Sequence, residues 1–481
     1  MPDSRPANSH RGGQRRPARR PTGRPPGAPA SKNRAARPPA VDPARTVALA
    51  LLRAVDSQDA YANLVLPRLV ADAGLDTRDA GLATELGYGT LRALGTLDDV
   101  IGRCLDRPLT EVQPGVRDLL RLGAYQALRT RIPAHAAVAT TVDLAHTSGY
   151  GRAAGLVNAV LRKVTAHDWE GWTDELARGR NPLAALAVRT GHPQWIAAAF
   201  AAALGDDVDG DLAETARALA ADDERPLTHL VAWPGVATVT ELLAALPDAE
   251  PGPYSPYAVR MAGGDPGDLP GVRDKRVGVQ DEGSQLCALA LAAAPLDGRD
   301  EYWLDLCAGP GGKAALLAAL AVERGATLTA NEVRPHRADL VRRVTDRWGV
   351  EVLVGDGREL PRPADGGYDR VLLDAPCSGL GALRRRPESR WRRSADDVAD
   401  LAVLQRELLA AALRLTRRGG VVAYVTCSPH PAETTEIVAD HDLLDARAAF
   451  PGVPNLGDGP TVQLWPYLHG TDAMFCALIR R

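Results

Sequence analysis

The feature that most constrains this chain is the alternation of apolar strand patterns with helical patterns over residues 276–481. Short apolar runs at Tyr302–Leu306, Thr327–Asn331 and Val421–Val425 are separated by segments with helical spacing. Strands that alternate with helices form a mostly parallel sheet, because each crossover helix packs back onto that sheet. We therefore predict an α/β domain of the Rossmann-like class, with ligands bound beyond the carboxyl ends of its strands.

The chain has 481 residues and is too long for one hydrophobic core, so we predict a multidomain protein. Residues 1–43 are rich in Arg, Pro and Gly and are typical of a disordered tail. Residues 44–170 repeat helical spacing without strand alternation, which predicts an all-α domain. The mixed pattern of residues 171–275 predicts a small α+β module, in which helices are followed by short strands at 228–232, 237–239 and 258–261.

Charge is distributed unevenly along the chain. The first 40 residues contain ten Arg and Lys residues against one Asp, although the formal net charge of the whole chain is −3. A basic arm on an acidic body favours electrostatic attachment to a polyanion such as RNA. The alternative is a solvated tail without a binding role.

The cysteine content and the amino terminus indicate the compartment. Six cysteines in so long a chain do not form a disulfide framework, and the first 40 residues lack the apolar run of a secretory signal. The alanine-rich stretches are shorter than a membrane span. We expect a cytoplasmic protein without a membrane partner.

A glycine-rich loop, Asp305-Leu-Cys-Ala-Gly-Pro-Gly-Gly-Lys313, follows the first strand of the α/β region. It matches neither the dinucleotide fingerprint nor the Walker A phosphate loop. Glu332, Asp356 and Asp374 end the next three strands, and such carboxylates repel a pyrophosphate but suit a ribose and a cation. S-adenosylmethionine carries a ribose and a positive charge, and it has no phosphate. We therefore predict that these carboxylates bind it together with Cys307, Ala308, Gly309, Pro310, Gly311, Gly312 and Lys313.

Two cysteines follow strands on the same side of the predicted sheet, Cys377 in Asp374-Ala-Pro-Cys377 and Cys427 in Thr426-Cys427. Such a pair could serve redox, metal or nucleophilic chemistry. Their contexts and the acidic strand ends favour a thiolate nucleophile beside a methyl donor, and we expect no metal. The other cysteines are expected to be core residues or, for Cys307, part of the loop backbone.

Methylation of pyrimidine carbon 5 is the reaction that needs such a nucleophile. Carbon 5 becomes nucleophilic only when a thiolate adds to carbon 6, and a base later removes the carbon 5 proton. Asp374 could hydrogen-bond the N3 edge of the pyrimidine and stabilise the adduct. The residues alone leave open which cysteine attacks.

The segment Arg384–Arg393 follows Cys377 directly and places a basic cluster around Trp391. A basic cluster with an indole suits phosphate contacts and base stacking, so we expect this segment to contact RNA. The alternative is a charged surface turn.

Taken together, the motifs resemble the RNA 5-methylcytosine methyltransferases of the RsmB/NSUN class. The glycine loop, Asp-Ala-Pro-Cys-Ser-Gly-Leu-Gly, Arg-Arg-Pro-Glu and Tyr-Val-Thr-Cys-Ser occur in that family's order. Val279-Gln-Asp-Glu-Gly-Ser-Gln285 is similar to its opening motif, and His469-Gly-Thr-Asp-Ala-Met-Phe475 to its closing motif. The resemblance implies S-adenosylmethionine as cofactor and RNA as partner.

The helical region resembles the NusB-type antitermination domain. Leu122-Gly-Ala-Tyr-Gln126, Pro133-Ala-His-Ala-Ala-Val and Val157-Asn-Ala-Val-Leu-Arg-Lys163 carry this likeness. A NusB-like domain joined to this methyltransferase domain is the arrangement of the RsmB-type enzymes, which implies 16S rRNA as substrate. The alternatives are a tRNA cytosine-C5 methyltransferase and a non-catalytic RNA-binding or antitermination factor. The sequence does not define the oligomeric state.

The resemblance also assigns roles to the cysteines. The Thr-Cys residue, Cys427, corresponds to the nucleophile, and the Pro-Cys residue, Cys377, to the group that assists product release. The loop, Glu332, Asp356 and Asp374 correspond to the cofactor positions. Gly309 departs from the family, in which alanine is commoner, and extra loop flexibility is the expected cost.

Overall fold

The computed structural model describes residues 42–363 and 366–481. The predicted basic tail, except for its last two residues, lies outside this range. Across the described residues no helix is both long and apolar enough to cross a membrane.

The amino-terminal part is a helical bundle, as predicted. Its first helix begins where Asp42 accepts a hydrogen bond from the Arg45 backbone amide and Pro43 occupies the first turn. The eleven helices are α1 Pro43–Gln58, α2 Ala62–Asp72, α3 Thr77–Arg92, α4 Leu94–Cys104, α5 Pro114–Arg129, α6 Ala134–Thr147, α7 Ala154–Val164, α8 Trp169–Ala177, α9 Pro182–Arg189, α10 Gln194–Leu204 and α11 Ala213–Ala221.

The boundary predicted at residue 170 falls inside α8. Trp172 and Leu176 of α8 and Val188 of α9 belong to the same buried core as α1–α7. Helices α10 and α11 instead pack against residues of the carboxyl-terminal part, among them Leu380 and Trp465. A division of the chain into separately folding domains therefore remains a proposal.

The middle module contains β1 Thr228–Ala232, α12 Val239–Ala245, β2 Glu250–Pro251, β3 Ala258–Met261, α13 Pro270–Arg273 and β4 Val277–Val279. Its antiparallel sheet has the order β2-β3-β1-β4, so β4, beyond the boundary predicted at 275, belongs to it. The prediction of a strand at 237–239 is wrong, because α12 begins at Val239. Thr238 caps α12 in a capping box with Glu241, which commits residue 239 to a helix.

The predicted α/β domain is confirmed, with helices on both faces of an eight-stranded sheet. The helices are α14 Glu282–Ala293, α15 Gly312–Glu323, α16 Pro335–Thr345, α17 Ser389–Arg392, α18 Ala395–Leu415, α19 Thr435–Val438 and α20 Pro466–His469. The strands are β5 Tyr302–Asp305, β6 Thr327–Asn331, β7 Glu351–Leu353, β8 Tyr368–Asp374, β9 Thr416–Thr426, β10 Leu443–Leu444, β11 Val462–Gln463 and β12 Phe475–Arg480.

The order of the strands places the functional crevice. The sheet runs β10-β12-β9-β8-β5-β6-β7, and β11 pairs with β12. Strands β5 to β9 are parallel, whereas β12 is antiparallel to β9. The chain leaves β5 toward β6 and β7, then returns to β8 on the opposite side of β5. Ligands of open α/β sheets bind at this switch point, beyond the carboxyl ends of β5 and β8.

The segment Arg384–Arg393 is a strap between the α/β part and the helical bundle. Its Arg390 and Trp391 side chains, which were expected to contact RNA, contact the protein instead. The side chain of Arg390 is fully buried against the helical bundle. Its guanidinium donates to the backbone oxygen of Asp222 at 2.9 Å and to the carboxylate of Asp223 at 2.9 Å. It also donates to the backbone oxygens of Arg92 and Gly191, each at 3.3 Å.

Neighbouring residues of the strap make the same kind of contact. The indole of Trp391 donates to the backbone oxygen of Leu91 at 2.7 Å and packs directly against Gly95. Arg392 donates to the backbone oxygen of Ala60 at 2.6 Å. The basic and aromatic groups therefore satisfy helix-end carbonyls inside the protein, and Trp391 is not free to stack on a base.

We predict that Arg390→Ala destabilises the protein by about 3 kcal/mol or more, because it leaves the buried carbonyls of Arg92, Gly191 and Asp222 without this donor and removes one of the two arginines paired with Asp223. The midpoint of urea unfolding, followed by circular dichroism, measures this effect. Arg393→Ala is the control, since Arg393 is half-buried at the end of the strap and its loss should cost less than about 0.5 kcal/mol. Equal midpoints for the two variants would contradict the role of Arg390.

Candidate active site

The structure brings the two predicted cysteines together. Strands β8 and β9 are parallel, and Asp374 is in register with Val425, so the loops after both strands leave the sheet side by side. The sulfur atoms of Cys377 and Cys427 lie 3.4 Å apart. Both side chains are half-buried, which leaves them within reach of a ligand in the crevice.

Electrostatics distinguishes the two sulfurs. A hydrogen bond from the Cys377 thiol lowers the pKa of Cys427 and outweighs burial and the Asp374 carboxylate, which raise it. The positive charges of Lys313 and Arg386 also lower this pKa. The partner sulfur, burial and the nearby Glu433 instead raise the pKa of Cys377. The thiolate is therefore favoured on Cys427 and the thiol on Cys377.

Lys313 and Asp374 form an ion pair at the mouth of the crevice. The Lys313 Nζ atom lies 2.9 Å from Asp374 Oδ2. Burial disfavours the charged amine, but the Asp374 carboxylate outweighs it and raises the pKa of Lys313. The side chain of Asp374 is 29% exposed, and its Oδ1 atom makes no hydrogen bond to the described residues, so it remains available to a ligand.

The glycine loop is closely packed. Gly311, at the start of α15, has a φ of +117°, and a Cβ atom there would lie 2.4 Å from the side chain of Val344. A Cβ atom at Gly309 would lie 2.1 Å from Glu332 Oε2. Glycine at 309 therefore makes room for a carboxylate beneath the loop, and the expected gain of flexibility is offset by these contacts.

Glu332 lies directly against the loop. It is buried, and it accepts hydrogen bonds from the backbone amides of Gly309 at 3.1 Å and Arg334 at 2.9 Å. The Arg337 guanidinium lies 3.5 Å from the same carboxylate and also donates to the Gly309 carbonyl. Glu332 therefore shapes the loop in addition to being a candidate ligand for ribose hydroxyls.

Asp356 lies nearer the surface, where Arg358 binds it at 2.6 Å and lowers its pKa. The following residue, Gly357, packs against Leu306 of the glycine loop. Asn331 joins these loops, because its side-chain amide donates to the carbonyls of Leu306 and Gly355, each at 3.1 Å. The strand ends thus form one cluster, in which Asp356 is more exposed than Glu332.

Cys307 stands within the loop, and burial raises the pKa of its thiol. The thiol is therefore protonated and does not compete with Cys427 as a nucleophile. Cys104, Cys287 and Cys476 are buried, as expected of core residues.

Sequence reasoning missed Asp305, the last residue of β5. This side chain is fully buried, and neither carboxylate oxygen has a hydrogen-bond partner among the described residues. Burial and the neighbouring Asp374 raise its pKa to about 8. An acceptor without a partner at the switch point calls for a donor from a bound ligand. Its position at a strand end, as the first residue of the glycine-rich loop, was the available signal.

These residues fit S-adenosylmethionine. Asp305 offers an acceptor for an amino group, Glu332 and Asp356 are suited to hydroxyl and amine donors, and the glycine loop permits close approach to the backbone. The positive charge of Lys313 is already neutralised by Asp374, which leaves the crevice acidic and unsuited to a phosphate.

We predict that Lys313→Met raises the pKa of Cys427, because it removes a positive charge and leaves the Asp374 carboxylate unpaired beside the sulfur. The rate of Cys427 alkylation by iodoacetamide, followed by mass spectrometry across pH, should rise at higher pH in the variant than in the wild type. Lys163→Met, which removes an equal charge from the helical bundle, is the control. An unchanged pH profile in Lys313→Met would show that this lysine does not activate the thiol.

Comparisons with known proteins identify the family and the fold. The model of the 16S rRNA methyltransferase RsmB/F family matches residues 291–480, and the model of the NusB family matches residues 42–166. The crystal structure of PH0851 has the same fold, with a TM-score of 0.75, 23% identity and coverage of 92% of this chain and 99% of that chain.

Two curated relatives match over most of their length. The Mycobacterium tuberculosis (strain H37Rv) protein named "Putative methyltransferase Rv1407" is 55% identical over 94% of this chain and 99% of its own. Ribosomal RNA small subunit methyltransferase B of Sodalis glossinidius is 35% identical over 86% of this chain and 95% of its own. The chain therefore belongs to the RsmB/F family of S-adenosylmethionine-dependent RNA methyltransferases, with a NusB-like amino-terminal domain.

Proposed function

We propose that this enzyme forms 5-methylcytosine in 16S rRNA through a covalent adduct between Cys427 and carbon 6 of the target base. The observation that carries the proposal is the 3.4 Å separation of the Cys377 and Cys427 sulfurs beside the glycine loop. Two thiols serve this reaction better than one, because one sulfur attacks while the other assists release.

The target cytosine must leave its stack to enter the crevice between β5 and β8. The Cys427 thiolate then bonds to carbon 6, and the displaced electron pair makes carbon 5 nucleophilic. Asp374 lies at the N3 edge of the ring and, through its free oxygen, accepts a hydrogen bond from N3 once N3 has taken up a proton from solvent. The proton on N3 and the positive charge of Lys313 beside Asp374 stabilise the negative charge that develops on the ring.

S-adenosylmethionine supplies the methyl group that carbon 5 accepts. In the final step a water molecule acting as base takes the carbon 5 proton, the ring double bond returns and the bond between Cys427 and carbon 6 breaks. Cys377 assists this step because its thiol donates a hydrogen bond to the departing Cys427 thiolate. The division of roles agrees with the electrostatics, since the groups around Cys377 keep it protonated while Cys427 is the more readily ionised.

The choice of 16S rRNA over tRNA rests on the combination of a NusB-like domain with the methyltransferase domain and on the names of the relatives. The active-site residues suit a cytosine in either RNA. On this proposal the enzyme works in the cytoplasm, where ribosomal RNA is made.

We predict that Cys427→Ala abolishes methylation and also abolishes covalent protein–RNA adducts. Cys377→Ala should instead accumulate a stable adduct with RNA, because attack proceeds while release is blocked. Denaturing gel electrophoresis of enzyme incubated with 16S rRNA transcribed in vitro and S-adenosylmethionine separates the two outcomes. Cys104→Ala, a buried cysteine of the helical bundle, is the control. Normal methylation by Cys427→Ala would contradict the mechanism.

We predict that deletion of the gene removes 5-methylcytosine from 16S rRNA and leaves tRNA unchanged. Bisulfite sequencing of both RNA classes from the deletion strain and its parent measures this. Complementation with wild-type enzyme should restore the mark, and complementation with Cys427→Ala should not. Loss of the mark from tRNA alone would assign the enzyme to tRNA.

A further inference from the structure

A buried carboxylate, Glu433, lies between the loops that carry the two cysteines. Its side chain is fully buried. Glu433 Oε1 accepts the backbone N–H of Ser378 at 2.7 Å, and Oε2 accepts the hydroxyl of Ser378 at 2.5 Å. Oε2 also accepts the hydroxyl of Ser428 at 2.6 Å. Because Ser378 directly follows Cys377 and Ser428 directly follows Cys427, one carboxylate holds both loops.

The carboxylate is itself held by the surrounding fold. The side-chain amide of Gln405, on α18, donates to Glu433 Oε1 at 3.1 Å and to the Pro376 carbonyl at 2.8 Å. The Tyr424 hydroxyl, on β9, donates to the Glu433 backbone oxygen at 2.8 Å. Four donors thus converge on the two carboxylate oxygens, as an ionised carboxylate can accept. Hydrogen bonds to an ionised acceptor are the stronger kind.

The cysteine loops need such a link because the sheet has ended. The backbone bond from Ala375 N to Val425 O, at 2.8 Å, closes the pairing of the two strands. The next backbone bond between these loops runs from Gly381 N to Cys427 O, at 2.9 Å. Cys377 lies between these two bonds, in a stretch without regular secondary structure. The serine hydroxyls, 3.2 Å apart, meet at Glu433 within this stretch.

We propose that Glu433 is a positioning residue that sets the separation of the two reactive sulfurs. It is buried behind the loops and acts through Ser378 and Ser428, not on the substrate. The proposal deepens the proposed function, since it rests on Cys427 adding to the base and Cys377 assisting release. A displacement of about 1 Å between reacting groups can cost about 100-fold in rate.

The negative charge of Glu433 also supports the proposed roles, in which Cys427 attacks the base and Cys377 assists release. The partner sulfur, burial and the negative charge of Glu433 together raise the pKa of Cys377. A thiol kept protonated can donate to the Cys427 sulfur, so loop geometry and charge reinforce each other.

The test uses Glu433→Ala and Glu433→Gln in the full chain. Glutamine keeps the shape of the side chain but removes its charge and one acceptor. Glu436→Gln is the matched control, because Glu436 is exposed three residues along the same segment. The first measurement is the rate at which diamide converts Cys377 and Cys427 to a disulfide, read by mass spectrometry. The two thiols are oxidised, and diamide takes up both hydrogens as it is reduced to the hydrazine.

We expect Glu433→Ala to slow disulfide formation and to lower kcat for methylation of 16S rRNA transcribed in vitro by about 100-fold. KM for S-adenosylmethionine should stay within about two-fold, because the glycine loop is untouched. Glu433→Gln should give intermediate rates while its unfolding midpoint stays close to that of the wild type. Glu436→Gln should match the wild type throughout.

Wild-type disulfide and methylation rates in folded Glu433→Gln and Glu433→Ala would overturn the proposal. If Glu433→Ala does not fold, Glu433→Gln alone decides. The disulfide assay needs no RNA, so it tests positioning even if the wild-type enzyme leaves cytosine unmodified. A wild-type enzyme that does not methylate cytosine would count against the proposed function and not against the role of Glu433.

Discussion

The parallel pairing of β8 with β9 is the constraint on which the active site depends. Residues Val371–Leu373 and Val421–Val425 are completely buried, with helices α14 and α15 packed on one face of the sheet and α18 on the other. Removing these apolar side chains from water fixes the register of the two strands. The register decides that Asp374 and Cys377 emerge beside Thr426 and Cys427. The crevice, the paired sulfurs and the link through Glu433 all follow from it.

The loop that carries Cys377 continues directly into the strap that joins the catalytic domain to the helical bundle. Arg390, Trp391 and Arg392 satisfy carbonyl groups of the bundle and of the loops beside it. A buried guanidinium is costly unless its donors are paired. Both terminal nitrogens of Arg390 are paired, whereas its Nε atom has no partner among the described residues. The NusB-like domain is therefore held in a defined place relative to the paired cysteines Cys377 and Cys427. Contacts with RNA must use surfaces other than the buried part of this strap.

Most strands of the catalytic domain could be predicted because each is a short apolar run bounded by glycine, proline or a carboxylate. The strand predicted at 237–239 failed because a capping box, a local polar interaction, outweighed strand propensity. The strap was misread because a basic cluster has the same composition whether it faces solvent or a set of buried carbonyls. Asp305 and Glu433 were missed because single acidic residues have no pattern that reveals their burial.

The sequence by itself determined the fold class, the glycine loop and the two cysteines, because periodicity and motif spacing are local properties of the chain. It did not determine which cysteine ionises more readily, since that depends on Lys313, Arg386 and Glu433, which come from distant segments. It also did not reveal the link through Glu433 or the burial of Arg390. Only the tertiary structure decided these, because hydrogen bonds and desolvation depend on which groups folding brings together.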